Sequence, residues 1–318
     1  MGIKEAKTIW FDGEYIPWGD ANVHITAHAL HYGSSVFEGI RAYETPDGPA
    51  IFRLSDHIDR LFDSAKIHRI AIPFTPEQVE EACRGIIVEN GLASAYLRPL
   101  VFRGAESLGV TGADCPIQIA VIAFEWGAYL GEAGLTAGVD VGVSSWSRAA
   151  PNTFPAMAKA GGNYLSSQLV ANEARRHGYA EGVALDHQGY VSEGSGENIF
   201  LVKKGKLFTP PVSAAILPGL TRDTVITLAR ERGYSVTEDR IPREALYVAD
   251  EVFFTGTAAE ITPVRSVDGI PIGAHRRGAI TEQIQNDFFG LFDGRTADRW
   301  GWLDRVRAAR PVAMTAGK

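Results

Sequence analysis

The stretch Gly189–Val202, GYVSEGSGENIFLV, decides which fold classes are compatible with this chain. Gly194 and Gly196 resemble the start of a dinucleotide-binding fingerprint. The third glycine is missing, however, and NIFLV has the composition of a strand where that fingerprint requires a helix. A Rossmann site is therefore rejected. Two readings remain: a tight turn between strands that presents Glu193 and Asn198 inward, where a carboxylate could partner a ring N–H or a cation, or a solvent-exposed hairpin.

Composition and charge narrow the class of protein further. The chain has 318 residues, enough for one large or two moderate domains. A net charge of -7 without a dense Lys/Arg run argues against nucleic acid or an anionic membrane as the main partner, and no apolar run reaches membrane-spanning length. Cys83 and Cys115 have neither metal-type spacing nor a disulfide framework, and the N-terminus lacks an apolar signal region. We therefore expect a cytoplasmic protein without a metal site.

Hydrophobic patterning predicts two regions of mixed α and β structure. In the first third, TIWFDGEYIPW and VFEGIRAYETPDGPAIFRL predict hairpins, SDHIDRLFDSAKIHRI and TPEQVEEACRGIIVENG predict helices, and AYLRPLVF and IQIAVIAFEW predict buried strands. The next stretch, WGAYLGEAGLTAG, is much richer in glycine than the segments before it. It predicts a smaller N-terminal domain over residues 1–125, an interdomain loop over 126–137 and a larger C-terminal domain over 138–318, ending in a frayed AARPVAMTAGK.

A lone lysine lies in MAKAGGNYLSSQLVANEARRHG, residues 157–178. Lys159 is followed by two glycines and by a predicted helix with Leu165, Leu169, Val170 and Ala174 near one face. A desolvated lysine can lose its proton and attack a carbonyl. The small residues around it predict a flexible segment. By itself this stretch is more typical of an exposed loop lysine, since most lysines are solvated.

Two further stretches predict anion-binding backbone. In LPGLTRDT, Gly219 and Leu220 precede a helix with Thr221 as its N-cap, so free N–H groups and the helix dipole converge. In FTGTAAEITP, a turn at 256–258 could form an anion nest. The alternative for Thr221 is that it only caps its own helix. Arg60 projects away from the apolar stripe of its helix, and this periodicity predicts an exposed side chain.

Several long stretches occur in an order that has a known counterpart: HALHYGSSVFEGIRAY, FRLSDHIDRLFDSAKI, SAYLRPLVF, FEWGAYLG, SSWSRAAPNTFPAMAKAGGNYLSSQLVANEARRHGY, EGVALDHQGYVSEGSGENIF, LPGLTRDT and EALYVADEVFFTGTAAEITPVRSVDG. Together they resemble the branched-chain amino acid aminotransferases of the fold-type IV pyridoxal-phosphate family. The resemblance implies a mixed α/β (α+β) fold of two domains, the larger with a barrel-like β core, and a pyridoxal 5'-phosphate cofactor in the interdomain cleft.

The resemblance also implies roles for individual residues. Lys159 matches the Schiff-base lysine that also carries the substrate's α-proton, Glu193 the partner of the pyridinium nitrogen, and Tyr164 the partner of the ring hydroxyl. Leu217 matches a residue on the ring face. The residues that match the family's phosphate-binding site are Arg60, Leu220, Thr221 and Thr257. For Arg60 the resemblance replaces the exposed side chain that helical periodicity predicts.

The implied substrates are L-leucine, L-isoleucine or L-valine, with 2-oxoglutarate as the amino acceptor. The apolar pocket is expected from Tyr32, Phe37, Val110, Trp126 and Tyr129, and the α-carboxylate site from Tyr96, Thr257 and Ala258. Arg98 matches the residue that meets glutamate's distal carboxylate. Tyr32 and Val110 are expected to reach the partner subunit's pocket, which implies a homodimer at least. The alternatives are a D-amino acid or amine transaminase, an aminodeoxychorismate lyase, or a non-enzymatic protein with a decayed site.

Overall fold

The computed structural model describes residues 4–127 and 130–306. Within these ranges the α-helices are α1 (His28–Tyr32), α2 (Leu54–Ile67), α3 (Pro76–Asn90), α4 (Glu132–Ala137), α5 (Tyr164–Arg176), α6 (Leu220–Glu231) and α7 (Ala279–Asp293). The strands are β1 (Thr8–Phe11), β2 (Glu14–Pro17), β3 (Ser35–Phe37), β4 (Ile40–Thr45), β5 (Gly48–Phe52), β6 (Ala95–Arg103), β7 (Ile117–Phe124), β8 (Val139–Ser147), β9 (Glu181–Leu185), β10 (Val191–Gly194), β11 (Asn198–Lys203), β12 (Lys206–Thr209), β13 (Val236–Glu238), β14 (Glu251–Gly256), β15 (Glu260–Val267), β16 (Ile270–Pro271) and β17 (Leu303–Arg305). The predicted mixed α/β (α+β) class is confirmed.

All strands of the first sheet except β17 come from the N-terminal part of the chain. Its strand order is β17-β5-β4-β6-β7-β1-β2, with β3 paired to β6. Helices α2 and α3 bury their apolar stripes in the core of this sheet, through residues such as Ile58, Leu61, Val79 and Ile86. Burial of such stripes, rather than helix propensity, supplies most of the stability of helices this short. The helices and hairpins predicted for the first third of the sequence are confirmed.

The second sheet curls on itself. Its strand order is β10-β9-β8-β15-β14-β11-β12-β13, with β16 paired to β15. Strand β10 is at one edge, yet a three-residue turn joins it to β11, and the Gly194 N–H donates to the Glu197 carbonyl at 2.6 Å. The sheet is curled into a half-barrel, in agreement with the barrel-like core that the resemblance implied. Every residue of β10 is buried, so the solvent-exposed hairpin is excluded for 189–202, and NIFLV forms a strand as predicted.

The segment between the two sheets differs from the predicted loop in one respect. Helix α4 lies within it, because Gly131 and Gly138, both at positive φ, bracket six residues that are mostly good helix formers. Strand β17, far along the chain, pairs with β5 of the first sheet. The domain boundaries at 125/126 and 137/138 stay a prediction. The C-terminal AARPVAMTAGK lies outside the described residues. Among the described helices, none has the length and hydropathy to span a bilayer.

Candidate active site

A cavity of about 520 Å³ lies where residues of both sheets meet. The predicted site residues that line it are Phe37, Arg60, Tyr96, Arg98, Trp126, Lys159, Tyr164, Glu193, Leu217, Leu220, Thr221, Thr257 and Ala258. Tyr32 and Val110 are not among the lining residues, and their side chains are exposed on the surface. Tyr129 lies outside the described residues. Residues more than 200 positions apart in the sequence, such as Phe37 and Ala258, therefore face one space.

The backbone around Lys159 is held in place rather than flexible. The Lys159 N–H donates to Ser64 Oγ at 2.9 Å, and its carbonyl accepts from the Phe37 N–H at 3.0 Å. Ala160 forms an antiparallel bridge to Val36. The prediction of a flexible segment is wrong, because the small residues serve close packing: a Cβ on Gly161 would lie 2.4 Å from Ser35 Oγ. Movement of Lys159 Nζ must come from its side-chain torsions.

Helix α5 begins at Tyr164 and brings its hydroxyl to the lysine. Lys159 Nζ donates to Tyr164 Oη at 2.7 Å, and the Phe37 ring packs against the Tyr164 ring with centroids 4.9 Å apart. The predicted apolar face of α5 is only half right. Val170 is buried, as Ala174 is, whereas Leu165 and Leu169 are 65% and 43% exposed and line the cavity. These two leucines lie on a flank of α5 that does not pack on β8 and β9.

Glu193 points into the cavity from the end of β10 and is held by three groups. Its Oε2 accepts from Asn198 Nδ2 at 3.0 Å and from the Leu217 N–H at 3.1 Å, and Oε1 lies 3.2 Å from an Arg148 nitrogen. Burial raises the pKa of the Glu193 carboxyl, and the Arg148 charge opposes this. A close approach fixes Asn198 as well, since a Cβ on Gly219 would lie 1.9 Å from its Oδ1.

Arg148 is a site residue that the sequence reasoning missed. It follows β8 directly, and its guanidinium donates to the carbonyls of Gly194 and Ser195 at 2.6 and 3.1 Å and to Ser167 Oγ at 3.0 Å. It therefore fixes the turn that carries Glu193. The available signal was an arginine at the carboxyl end of a predicted strand, which does not reveal its partners.

The two predicted anion-binding segments meet in the cavity. Helix α6 begins at Leu220 with Gly219 as its N-cap, so the prediction of Thr221 as N-cap is wrong. The extended backbone of Gly219 starts the helix two residues earlier and places Thr221 inside the first turn, where it is buried. No side chain caps α6. The first backbone N–H groups of α6 therefore donate to no capping side chain and lie at the cavity wall, where they can donate to an anion. The turn after β14 lines the same cavity through Thr257.

Arg60 contradicts its helical periodicity, because its side chain is only 11% exposed. Its Nε and a terminal nitrogen donate to the two oxygens of Glu38 at 2.7 and 2.8 Å, and the other terminal nitrogen donates to the Pro218 carbonyl at 2.9 Å. The face of α2 away from its own core meets the loop before α6, which no local pattern reveals. A guanidinium has five N–H donors, so Arg60 retains donors for a further acceptor.

Glu38 is the second residue that sequence reasoning missed. It is fully buried and also accepts from His57 Nδ1 at 2.8 Å. Burial by itself would raise the pKa of the Glu38 carboxyl, but the Arg60 charge and the hydrogen bonds hold that pKa well below its usual range. Burial lowers the pKa of His57, against the attraction of Glu38. Glu38 is thus the ionised centre that holds Arg60.

The opposite end of the cavity is aromatic with one arginine. The Arg98 guanidinium lies 4.7 Å from the Phe37 ring centre and donates to Tyr96 Oη at 3.1 Å. The rings of Tyr96 and Trp126 meet edge to face at 4.4 Å. Gly39 makes room for this arrangement, because a Cβ there would lie 2.0 Å from Tyr96 Oη. The Nε of Arg98 is buried without a hydrogen-bond partner among the described residues, so this guanidinium has an unpaired donor.

Comparisons with known proteins agree with this geometry. The model of the class IV amino-transferase family matches residues 35–267. The chain is 58% identical to the branched-chain-amino-acid aminotransferase of Escherichia coli over 96% of this chain and 99% of that one, and a crystal structure of the E. coli enzyme superposes with a TM-score of 0.94 over 95% and 100% of the two chains. The pyridoxal-phosphate form of the Thermobaculum terrenum branched-chain amino acid aminotransferase, 35% identical, gives 0.89 over 95% and 99%. The chain therefore belongs to the class IV amino-transferases, the fold-type IV family.

Proposed function

We propose that this protein is a pyridoxal-phosphate-dependent transaminase that exchanges the amino group between L-leucine, L-isoleucine or L-valine and 2-oxoglutarate. The observation that carries the proposal is one cavity that combines an amine and a buried carboxylate, Lys159 and Glu193, with an aromatic pocket containing Arg98. The high identity to enzymes of this name over nearly the whole chain supports it.

The residues present fit the cofactor group by group. Lys159 Nζ matches the aldehyde, Tyr164 the ring hydroxyl and Glu193 the ring nitrogen. The phosphate needs an anion site, and the uncapped start of α6 supplies N–H groups at Leu220 and Thr221. The remaining contacts in the proposal are Arg60 and Thr257 at the phosphate and Leu217 against the ring face. When bound, the cofactor supplies an electron-withdrawing ring and carries the amino group from one substrate to the next.

The protein's own part in the chemistry is to move and to hold protons. Lys159 Nζ takes the α-proton from the substrate, and the hydroxyl of Tyr164, 2.7 Å away, orients the amine. Glu193 holds a proton on the ring nitrogen. Burial raises the pKa of Glu193, but a cationic N–H beside it would favour the ionised carboxylate. The network of Asn198 and Arg148 keeps that carboxylate aimed at the ring.

The pocket recognises two kinds of substrate. A branched aliphatic side chain gains roughly 2 kcal/mol from burial against aromatic walls, here Phe37 and Trp126, with Tyr129 as a further proposed wall. Glutamate's distal carboxylate instead meets the free donors of Arg98. The α-carboxylate binds to Tyr96 and to the backbone N–H groups of Thr257 and Ala258. One site thus serves both half-reactions.

We also propose that a homodimer completes the pocket and that the protein acts in the cytoplasm. Leu108 and Val110 are 51% and 80% exposed, and Tyr32 Oη donates to the Leu108 carbonyl. Leu165 and Leu169 are exposed at the cavity. Exposed apolar patches of this kind mark interfaces, so Tyr32 and Val110 of one subunit would cover the partner's pocket. Both cysteines are free thiols, which suits a reducing compartment.

A half-reaction screen tests the proposal. The holoenzyme is mixed with one amino acid at a time without an acceptor, and the loss of cofactor absorbance is followed. L-leucine, L-isoleucine, L-valine and L-glutamate should bleach the cofactor, whereas D-alanine should not. Faster bleaching by D-alanine would refute the assignment in favour of a D-amino acid transaminase, and release of pyruvate from aminodeoxychorismate would refute it in favour of a lyase.

A further inference from the structure

His28 packs against the loop that joins β6 to β7, residues 104–116. It is 2% exposed, its Nδ1 lies 2.7 Å from Ser34 Oγ, and its Nε2 lies 3.0 Å from the Gly109 carbonyl oxygen. We propose that His28 is a positioning residue for substrate specificity that acts across the dimer: it fixes the β6–β7 loop, which carries Val110 to the substrate pocket of the partner subunit. This inference rests on the proposed function and on the proposed homodimer.

The chemistry of the two partners sets the direction of these hydrogen bonds. A carbonyl oxygen can only accept, so His28 Nε2 donates to Gly109. A hydroxyl can donate or accept, so Ser34 Oγ can serve Nδ1 on the other side of the ring. The buried ring of His28 therefore joins the segment after α1 to the β6–β7 loop.

Two side chains of α1 hold neighbouring carbonyls of the loop. His28 and Tyr32 are four residues apart, which places them on one face of the helix, and their ring centres are 4.6 Å apart. Tyr32 Oη donates to the Leu108 carbonyl at 2.9 Å, and His28 donates to the next carbonyl, that of Gly109. Tyr32 is 47% exposed, so water competes for its hydrogen bond, whereas the His28 ring is buried. Because Val110 follows directly, its position depends mainly on His28.

The base of the β6–β7 loop is held separately from its tip, residues 108–110. The Gly112 carbonyl accepts from Arg103 at 2.9 Å, and Gly112 itself lies against the histidine, since a Cβ there would be 2.8 Å from His28 Nε2. Its φ of 54° is left-handed, which glycine adopts at little cost. Loss of the His28 hydrogen bonds should therefore release the tip while the base stays in place.

The consequence should differ between the two kinds of substrate. Val110 is 80% exposed on its own subunit and can pack only against another molecule, in this proposal the branched side chain in the partner's pocket. Glutamate's distal carboxylate instead binds Arg98 of the subunit that holds the cofactor. His28, Ser34 and Gly109 are not among the described residues that line the cavity. Loss of His28 should therefore weaken recognition of leucine and leave the cofactor in place.

The test uses holoenzyme and compares L-leucine with L-2-aminobutyrate, whose side chain is two carbons shorter. H28F keeps an aromatic ring and removes both hydrogen bonds. It should lower kcat/KM for leucine by about tenfold, the scale of lost contact with one methyl group, with KM rising more than kcat falls. The values for 2-aminobutyrate and glutamate should change much less, with cofactor absorbance and dimer sedimentation retained. An unchanged ratio of leucine to 2-aminobutyrate would overturn the proposal.

Two amide variants separate the hydrogen bond to Gly109 from the packing of the ring. Glutamine can place an N–H near the position of Nε2, whereas asparagine reaches only the position of Nδ1. H28Q should therefore keep the preference for leucine and H28N should lose it, and equal behaviour of the two would count against the proposal. If H28F does not fold, G112A approaches the same contact from the loop and should lower the same ratio; a wild-type ratio would contradict the proposal.

Mixed assemblies test whether His28 acts across the dimer. A K159A subunit has no catalytic lysine but a normal β6–β7 loop. When H28F is co-expressed with an excess of K159A, most H28F pockets face a normal loop, so kcat/KM for leucine per intact Lys159 should return close to the wild-type value. An excess of the double variant H28F/K159A should give no recovery. Failure of K159A to restore leucine turnover would show that His28 does not act on the partner's pocket.

The matched control is H24A, in the segment before α1. His24 is exposed, and its Nδ1 lies 2.7 Å from Thr26 Oγ, within its own segment. H24A should leave the ratio of leucine to 2-aminobutyrate unchanged, and a loss equal to that of H28F would overturn a specific role for His28. If the wild-type protein does not transaminate leucine, the proposed function fails, and if it sediments as a monomer, the proposed homodimer fails. Both failures are distinguishable from a wild-type ratio in H28F.

Discussion

Replacing Glu38 with glutamine should destabilise the protein and weaken its binding of the cofactor phosphate. Glu38 is fully buried and accepts two hydrogen bonds from Arg60 and one from His57. Glutamine has the same shape but only one acceptor atom, and its NH₂ group would face an N–H donor. Arg60, whose side chain is 11% exposed, would keep its charge without a counter-ion.

The magnitude follows from this burial. Removing one partner of a buried ion pair costs about 3–5 kcal/mol because the other charge is stranded. We expect the lower end, about 3 kcal/mol, since Arg60 retains its bond to the Pro218 carbonyl. The midpoint of thermal unfolding should fall by at least about 6 °C, at roughly 2 °C per kcal/mol for a chain of this size. The matched control is E231Q, an exposed pair with Arg299 at 3.6 Å, which should shift the midpoint by less than about 2 °C.

The pH dependence gives an independent check. The folded-state pKa of Glu38 is held well below its usual value, so its stabilisation is complete above the unfolded-state pKa, about 4.3, and is lost as the pH falls toward the folded-state pKa. The gap between the wild type and E38Q should therefore be constant near pH 7 and shrink below about pH 4. A loss of less than about 1 kcal/mol at pH 7, or a gap that widens in acid, would refute the assignment of Glu38 as the ionised partner of Arg60.

Four further predictions concern the site. K159A should abolish transamination and the borohydride-stable attachment of cofactor seen by mass spectrometry; attachment at another lysine would contradict this. E193Q should lower kcat by roughly a hundredfold through lost electrostatic stabilisation, with the cofactor still bound in absorbance spectra, and a near-wild-type kcat would remove the role of Glu193. R98L should reduce kcat/KM for glutamate at least about tenfold more than for leucine, whereas equal losses would show that Arg98 is not selective. V110D should dissociate the homodimer in sedimentation measurements and lower activity, and an intact dimer would place the interface elsewhere.

Local patterns predicted most of the elements because each depends on near neighbours in sequence. The apolar stripe of α2 and the capping box of Thr75 and Gln78 at α3 act within one or two turns. The cavity residues were named from a resemblance over long stretches, not from spacing. The stretch around Lys159 taken alone favours a surface lysine, and only its position beside Tyr164 and Phe37 shows that it faces an enclosed space.

The sequence alone determined the mixed α/β (α+β) class, because the class depends on local periodicity. It also determined the family and the candidate cofactor and substrate residues, because these depend on long stretches that resemble the family and occur in the same order. The tertiary structure decided what those residues touch. Arg60 is only 11% exposed because Glu38 and the Pro218 carbonyl accept hydrogen bonds from it, and the backbone of Lys159 is fixed because Ser64 and Phe37 bind it. Periodicity describes one face of one element, whereas burial and charge pairing depend on partners that the chain brings together only when it folds.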